Sequence, residues 1–370
     1  RPTRSTLFPY TTLFRSFVKL NQDKASRVLI NLKTNNGDMI NKIKSLLLKV
    51  LSKRIVEKIS YILYYKYDRC RYVKFSALVR RDDSFEKLVG GITQECHVIE
   101  KGLTMPEIRL GFGTKTIMKL IDLCNSYLEF NYDSNNDFFL HSISVLNEYK
   151  RLHERLDYSD NKLLLIRISE LTRKVNYWPE VTQLEFIDNA YFSDSTATFD
   201  KFSFSRHSVR NFNGSADISD LNKAVKLSLN APSSCNRQPC RVYLIENKDI
   251  IRNVLLLQNG NRGFGHLVNN LMLITAELGV YSGINERNSA YIDGGIFTMN
   301  LVYSLHFYKV GVCILNCNFL KEAEVQIRSL VNIPESEVLI VLLACGNVPE
   351  KFKVTISKRR SIESALKRIV

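Results

Sequence analysis

Residues 241–257 read RVYLIENKDIIRNVLLL. The first five form an apolar run of strand length, and after a polar break residues 250–257 repeat apolar side chains at helical spacing. The same alternation fills the C-terminal half. Strand-like runs recur at 271–275 and 338–345, and helical ones at 221–229, 297–308 and 320–330. Such a succession predicts an α/β or α+β domain whose sheet is covered by helices. Upstream the texture differs. From Phe17 to about Asn189 the pattern is helical, with Ile43, Leu46, Leu47, Val50 and Leu51 at helix spacing, then Ile55, Ile59, Ile62 and Leu63, then Ile117, Leu120, Ile121 and Leu123 or Cys124. Residues 133–137 break it, and a further helix runs through Leu146 and Leu152. Residues 188–201 show neither period and read as a linker. The predicted organisation is a helical region over 17–195 and a sheet domain over 196–370.

The first sixteen residues stand apart. Thr6 to Ser16 spell TLFPYTTLFRS, which back-translates codon for codon into DNA resembling a common sequencing adaptor. Residues 1–16 are therefore left out of the fold reasoning. They carry Arg1, Arg4 and Arg15 and no acid, so the formal +15 of the chain falls to +12 without them.

Length and composition narrow the classes. A chain of 370 residues, 45% hydrophobic and 24% charged, is globular in composition and long enough for two domains. Its longest apolar run, 338–345, is far short of the ~18 residues of a membrane helix. Eight cysteines are too sparse for a disulfide scaffold. The pairs Cys235/Cys240 and Cys313/Cys317 also miss the C-x2-C spacing of a zinc site. Reduced thiols in a cytoplasmic protein, and no metal, are expected. The positive charge raises nucleic acid, membrane surfaces and phosphorylated ligands as partners. The basic residues are dispersed, however, and no nucleic-acid module is visible. A basic amphipathic helix at 42–63 could lie on an anionic membrane, but a solvated helix face over a core is the favoured reading.

Four short constellations can carry chemistry. Arg206-His207-Ser208-Val209-Arg210-Asn211-Phe212 sets two guanidinium forks and a hydroxyl within five residues, a donor set suited to phosphate. Ala231-Pro232-Ser233-Ser234-Cys235-Asn236-Arg237-Gln238-Pro239 is a stiffened turn whose Ser, Asn and Gln suit the edge of a heterocycle. Asp293-Gly294-Gly295 with Asn300-Leu301 enters a helix, and Gly311-Val312-Cys313 follows as a turn; the glycines permit close approach of a backbone or a flat ligand. The basic tail Lys358-Arg359-Arg360-Ser361-Ile362-Glu363 closes the series.

In this order and spacing, over about residues 200–365, the four resemble the nitroreductase family of flavoproteins. That resemblance implies an α+β fold with a mixed sheet covered by helices, binding FMN at a homodimer interface. It further implies NAD(P)H as the electron donor and a small-molecule acceptor. By matching position, Arg206, Ser208 and Arg359 would hold the phosphate and ribityl chain, with His207 alongside. Arg210 would lie at the pyrimidine edge, where its charge stabilises the reduced ring. Pro232, Ser233, Ser234, Asn236 and Gln238 would line the isoalloxazine, from the other subunit. Residues 314–317 would face the flavin N5 position, and 258–264 are a candidate substrate-side loop. The turn at Gly311 departs from the family pattern, which has a second glycine there. No catalytic side chain is assigned, because the flavin carries the chemistry in such families.

The helical region has its own motif, His97-Val98-Ile99-Glu100-Lys101-Gly102-Leu103 with Pro106, Arg109 and Gly111-Phe112-Gly113. It is similar to the helical extension on nitroreductase-like proteins of surface-polysaccharide gene clusters. His97 and Glu100 lie one helical turn apart. A metal or acid–base pair is conceivable, but zincin spacing is missing and a structural or interface role is expected. Residues 111–116 lack the Gly-Lys-Ser/Thr ending of a phosphate loop. The functional expectation is an FMN-dependent oxidoreductase. The alternative is a non-catalytic nitroreductase-like scaffold or binding protein in polysaccharide biosynthesis, and a nucleic-acid or membrane binder ranks third.

Overall fold

The computed structural model describes residues 53–78, 84–158, 160–188 and 190–369. The adaptor-like segment and the apolar repeat at 43–51 lie outside them. The chain divides into two compact units, residues 1–75 and 76–370. In the first, α1 (Lys53–Phe75) is a 23-residue helix. Ile55 and Ile62, expected on its inward face, are exposed.

The second unit begins with four helices, α2 (Phe85–Leu103), α3 (Thr114–Glu129), α4 (Asp137–Arg155) and α5 (Lys162–Thr172). Ser84 caps α2, its hydroxyl accepting from Lys87 N–H at 3.3 Å, and Asn136 caps α4 by accepting from the N–H groups of Phe138 and Phe139. Leu88, Ile92, Cys96, Ile99 and Leu103 recur at i, i+4, i+8, i+11 and i+15 along α2 and are all buried. They meet Ile117, Leu120, Ile121 and Cys124 of α3 and Ile143 and Leu146 of α4 in one core. The apolar positions forecast for the third helix thus do face inward, with Cys124 as the fourth.

The remaining elements, in chain order, are β1 (Gln183–Ile187), α6 (Phe199–Ser205), α7 (Ile218–Ser228), β2 (Cys240–Ile245), α8 (Lys248–Leu257), β3 (Asn270–Glu277), α9 (Ser289–Phe307), β4 (Gly311–Asn316), α10 (Lys321–Val331), β5 (Glu337–Gly346), β6 (Lys351–Thr355) and α11 (Ile362–Ala365). The class is α+β. Four strands form one sheet in the order β2-β3-β5-β4, and β1 pairs with β6 in a second. Every described pairing is antiparallel, not mixed as expected. The connections from β2 to β3 and from β4 to β5 return the chain to the end of the sheet it left, which reverses the strand direction.

Side chains alternate across the central strand. Leu271 and Leu273 face a core shared with Ile251, Val254, Leu255 and Ile327 from α8 and α10. Met272 and Ile274 face Leu221 and Ala224 of α7 and Phe297, Leu301 and Leu305 of α9. The sheet is therefore covered on both faces. Gly294 lets α9 lie close on it, since a Cβ there would come within 2.7 Å of Ile340.

Two local readings change. Residues 183–187 form β1, although the helical pattern was expected to run to about 189, and Gly311 opens β4 where a turn was expected. Both strands are short, and neither β1 nor β4 is decided by its own sequence. β1 is held by its partner β6 from the far end of the chain, which propensity cannot anticipate.

Candidate functional site

The segment 206–212 has no regular structure, yet it is fixed. Val209 N–H donates to the Val312 carbonyl at 3.0 Å, along β4, and Asn213 N–H donates to the Asn347 carbonyl at 2.8 Å. Val209 and Phe212 are buried as anchors. This holds Ser208 and Arg210 on a cavity of about 350 Å³, which they line together with Arg359, Lys358, Ser357 and Ile314 of β4. That volume lies within the range of small-molecule sites, ~300–1,000 Å³. The other wall belongs to the helical region: Thr93, Cys96, His97 and Glu100 of α2, and Phe138 and His141 of α4.

Arg210 is only 7% exposed. Its contacts are long, 3.4 Å to Thr355 Oγ1 and 3.4 Å to His97 Nε2, and no carboxylate pairs with it among the described residues. Lys101 adds a second cation nearby; its ammonium is lowered from the usual lysine value by burial and then by the Arg210 charge. A buried guanidinium without a counter-charge is costly to the folded chain. Such a site suits an anionic or electron-rich group.

The one acid at this cavity is already engaged. Glu100 is 2% exposed, and its Oε1 accepts from His141 Nε2 at 3.1 Å and from the Ser357 N–H at 2.9 Å, while Oε2 faces His97 Nδ1 at 3.2 Å. Burial pushes its carboxyl upward, but the bonds from His141, His97 and Ser357 outweigh it and lower the group to about 2. The tail leaves β6 along α4: Lys358 pairs with Asp137 at 2.9 Å and Arg360 lies over the Phe138 ring. These contacts join α2 and α4 to the tail through Glu100. Motif reading missed His141, and it named Lys101 only as part of the 97–103 motif.

Arg206 and His207 do not line this cavity. The His207 ring sits beside it, 6.1 Å from the Phe186 ring of β1. Tyr191 OH donates to the His207 carbonyl at 2.8 Å, and the His207 imidazole is lowered by burial, then by Arg206 and Arg359. His306 on α9 is fully buried, bonded through Nε2 to Ser205 Oγ at 2.8 Å, and its imidazole is lowered to about 4 by burial and the neighbouring Arg206 and His207. Charge from Arg206 and Arg359 thus converges on His207, even though their side chains do not share the cavity.

The 231–239 segment forms a second place. Pro232, Ser233 and Gln238 line a smaller cavity of about 130 Å³ with Asp293 and Phe297. Ser234 and Asn236 are in neither cavity. Cys235, Asn236 and Gln238 all adopt positive φ of 49–55°, a conformation unfavourable for residues with a Cβ. Asp293 of α9, itself 2% exposed, holds the loop by accepting from Ser234 N–H at 3.1 Å, Ser234 Oγ at 3.0 Å and Tyr281 OH at 2.8 Å. Arg237 forms a two-pronged pair with Glu286, which lowers that carboxyl to about 2, and covers the Tyr281 ring. The 258–264 loop bonds mostly to itself and to α8: Asn261 donates to the Leu255 carbonyl at 2.7 Å, and Phe264 is fully buried. At 111–116, Gly111 N–H is taken by His153 Nε2 at 2.9 Å.

Residues 204–261 match the nitroreductase family model. Solved structures similar to the C-terminal part include a nitroreductase family protein of Streptococcus pneumoniae TIGR4, 16% identical, covering 46% of this chain and 100% of that one with a TM-score of 0.41. An FMN-dependent nitroreductase of Clostridium difficile R20291 is 19% identical and covers 45% of this chain and 92% of that one, with a TM-score of 0.36. A nitroreductase family protein of Clostridium novyi NT is 17% identical, covering 41% and 86% with a TM-score of 0.38. No curated protein matches the chain. The stretch matched by the family model contains both the 206–212 segment and the 231–239 loop. Among the described residues no helix is long and apolar enough to cross a membrane, and no group of His, Cys, Asp or Glu is placed to hold a metal ion.

Proposed function

We propose that the chain is an FMN-dependent oxidoreductase that takes electrons from NAD(P)H and passes them to a small-molecule acceptor. The observation that carries this reading is Arg210, a buried guanidinium with no carboxylate partner, sharing a cavity with Ser208 and Arg359. The donor chemistry fits the cofactor. Arg359 and Ser208 offer a fork of N–H groups and a hydroxyl to a phosphate, and Arg206 adds positive field from beside His207. Arg210 suits the electron-rich pyrimidine edge, where a fixed cation favours negative charge developing on the ring. Ile314, 41% exposed on β4, gives the cavity an apolar surface against which water is displaced. The chemistry FMN supplies when bound is two-electron transfer between NAD(P)H and the acceptor.

The 232–238 loop belongs, in this reading, to the flavin site of a second copy. Support comes from α9, which buries one side on the sheet yet exposes Ile292, Ile296 and Met299 at i, i+4 and i+7, with Phe199 of α6 also exposed. An apolar stripe of this kind suits a homodimer interface. The eight cysteines carry free thiols, in keeping with a reducing, cytoplasmic setting.

The test is an absorbance spectrum of the purified chain with FMN, before and after NADH or NADPH under anaerobic conditions. A bound flavin band that bleaches on addition of either donor is expected. A colourless protein that takes up no added FMN would point instead to a scaffold.

A further inference from the structure

The helical region contributes to this cavity a side chain that the flavin reading does not use. His97 lines the cavity with 39% of its side chain exposed, and its two ring nitrogens have different partners. Nδ1 faces the Glu100 carboxylate at 3.2 Å, and a carboxylate only accepts, so Nδ1 carries the proton. Nε2 faces Arg210 NH2 at 3.4 Å, and a guanidinium only donates, so Nε2 presents its lone pair. Glu100 is in turn fixed by His141 and the Ser357 N–H. The tautomer is thereby set from behind, as in a carboxylate–histidine pair.

The cavity therefore shows an acceptor, His97 Nε2, next to a donor, Arg210. At 3.4 Å their mutual contact is at the weak limit of a hydrogen bond, so a ligand can replace it at small cost. The complement of an adjacent acceptor and donor is an adjacent N–H and C=O, the imide edge of a pyrimidine-dione ring. A metal role does not fit, because His97 Nδ1 and His141 Nε2 point at separate oxygens of Glu100. A proton-donor role does not fit either, because the exposed nitrogen carries no proton.

We propose that His97 accepts a hydrogen bond from the imide N–H of the ring whose neighbouring carbonyl is bound by Arg210. The helical region would then take part in ring recognition in addition to packing. This rests on the flavin reading and identifies the ring edge as the N3–H/C2=O side of FMN. Glu100 acts here as a positioning residue.

The test is titration of the flavin-free full chain with FMN and with 3-methyl-FMN, followed by quenching of flavin fluorescence. Losing one hydrogen bond and leaving the acceptor unpaired predicts binding of the methylated flavin weaker by roughly tenfold or more. His97→Phe should bind both flavins alike, at about the wild-type affinity for 3-methyl-FMN or below. His97→Gln, which keeps an acceptor oxygen, should restore part of the preference. Equal affinities in the wild type, or an unchanged preference in His97→Phe, would overturn the assignment while leaving the flavin reading intact. Failure of the wild type to bind FMN would overturn both.

Discussion

Glu100 and Asp293 are each about 2% exposed, and each gathers hydrogen bonds from residues far away in sequence. Glu100 binds His97, His141 and the Ser357 N–H, joining α2 and α4 to the tail after β6. Asp293 binds Ser234 twice and Tyr281 once, joining α9 to the 231–239 loop. The partners differ in kind. Those of Glu100 include two imidazole rings, whereas those of Asp293 are hydroxyls and an amide. One carboxylate orients two imidazole rings at a cavity, and the other holds a loop in left-handed backbone. The comparison teaches that each half of the candidate site is positioned by a buried acid outside the motif it supports.

The largest effect expected is from Glu100→Ala. It removes the acceptor shared by two histidines and an amide at a carboxylate only 2% exposed, and a loss of about 3 kcal/mol is predicted in urea unfolding. Glu100→Gln should lose less, because it keeps an acceptor for His141 or Ser357. Equal and small losses for both would remove Glu100 from its place in the comparison. Asp293→Ala should cost about 1–3 kcal/mol. Its distinctive consequence is local: faster amide exchange at residues 233–238, with the helical region unchanged. Exchange rising at α2 instead would mean the two anchors are not independent.

Acid should separate the regions further. His306 keeps a folded value of about 4 against an ordinary 6.5. The unfolded chain therefore binds a proton that the folded chain refuses, and the stabilisation is complete above about 6.5 and lost as pH falls towards 4. Glu100 is lowered from 4.5 to about 2, so its share is present above about 4.5 and disappears as pH falls towards 2. Stability measured against pH should show both limbs. His306→Gln should flatten the upper limb only, and Glu100→Gln the lower one only. The smallest effect on folding is expected from Ile296→Glu on α9, where 42% of the side chain is exposed. It should leave stability of the protomer nearly unchanged and shift sedimentation from dimer towards monomer; an unchanged dimer would place the interface elsewhere.

The sequence alone disclosed what depends on short range. The helices of the sheet domain and strands β2, β3 and β5 are long and periodic enough to be read from spacing, and so is the apolar face of α3. β1 and β6 are five residues each and exist because they pair across more than 160 residues of chain. Their partner, not their composition, decides them. Within the site, Ser208, Arg210 and Arg359 do come together as the motif reading expected. Arg206 does not join them; its charge acts instead on His207 and His306 beside the cavity. His141 was invisible because nothing in its local sequence marks its contact with Glu100, 41 residues upstream. The pairing of His97 with Glu100 was legible from helical spacing, but its contact with Arg210, 113 residues downstream, was not.

The most direct measurement is the affinity for FMN of the wild-type chain and of Arg210→Ala. If Arg210 is an unpaired cation completed by the flavin, the wild type should bind FMN saturably at one per chain. Arg210→Ala should then lose about 1.5–3 kcal/mol of binding, roughly tenfold to a hundredfold, while folding at least as stably. Equal affinity in the two proteins, or a variant that unfolds more readily because the guanidinium was structural, would contradict the account.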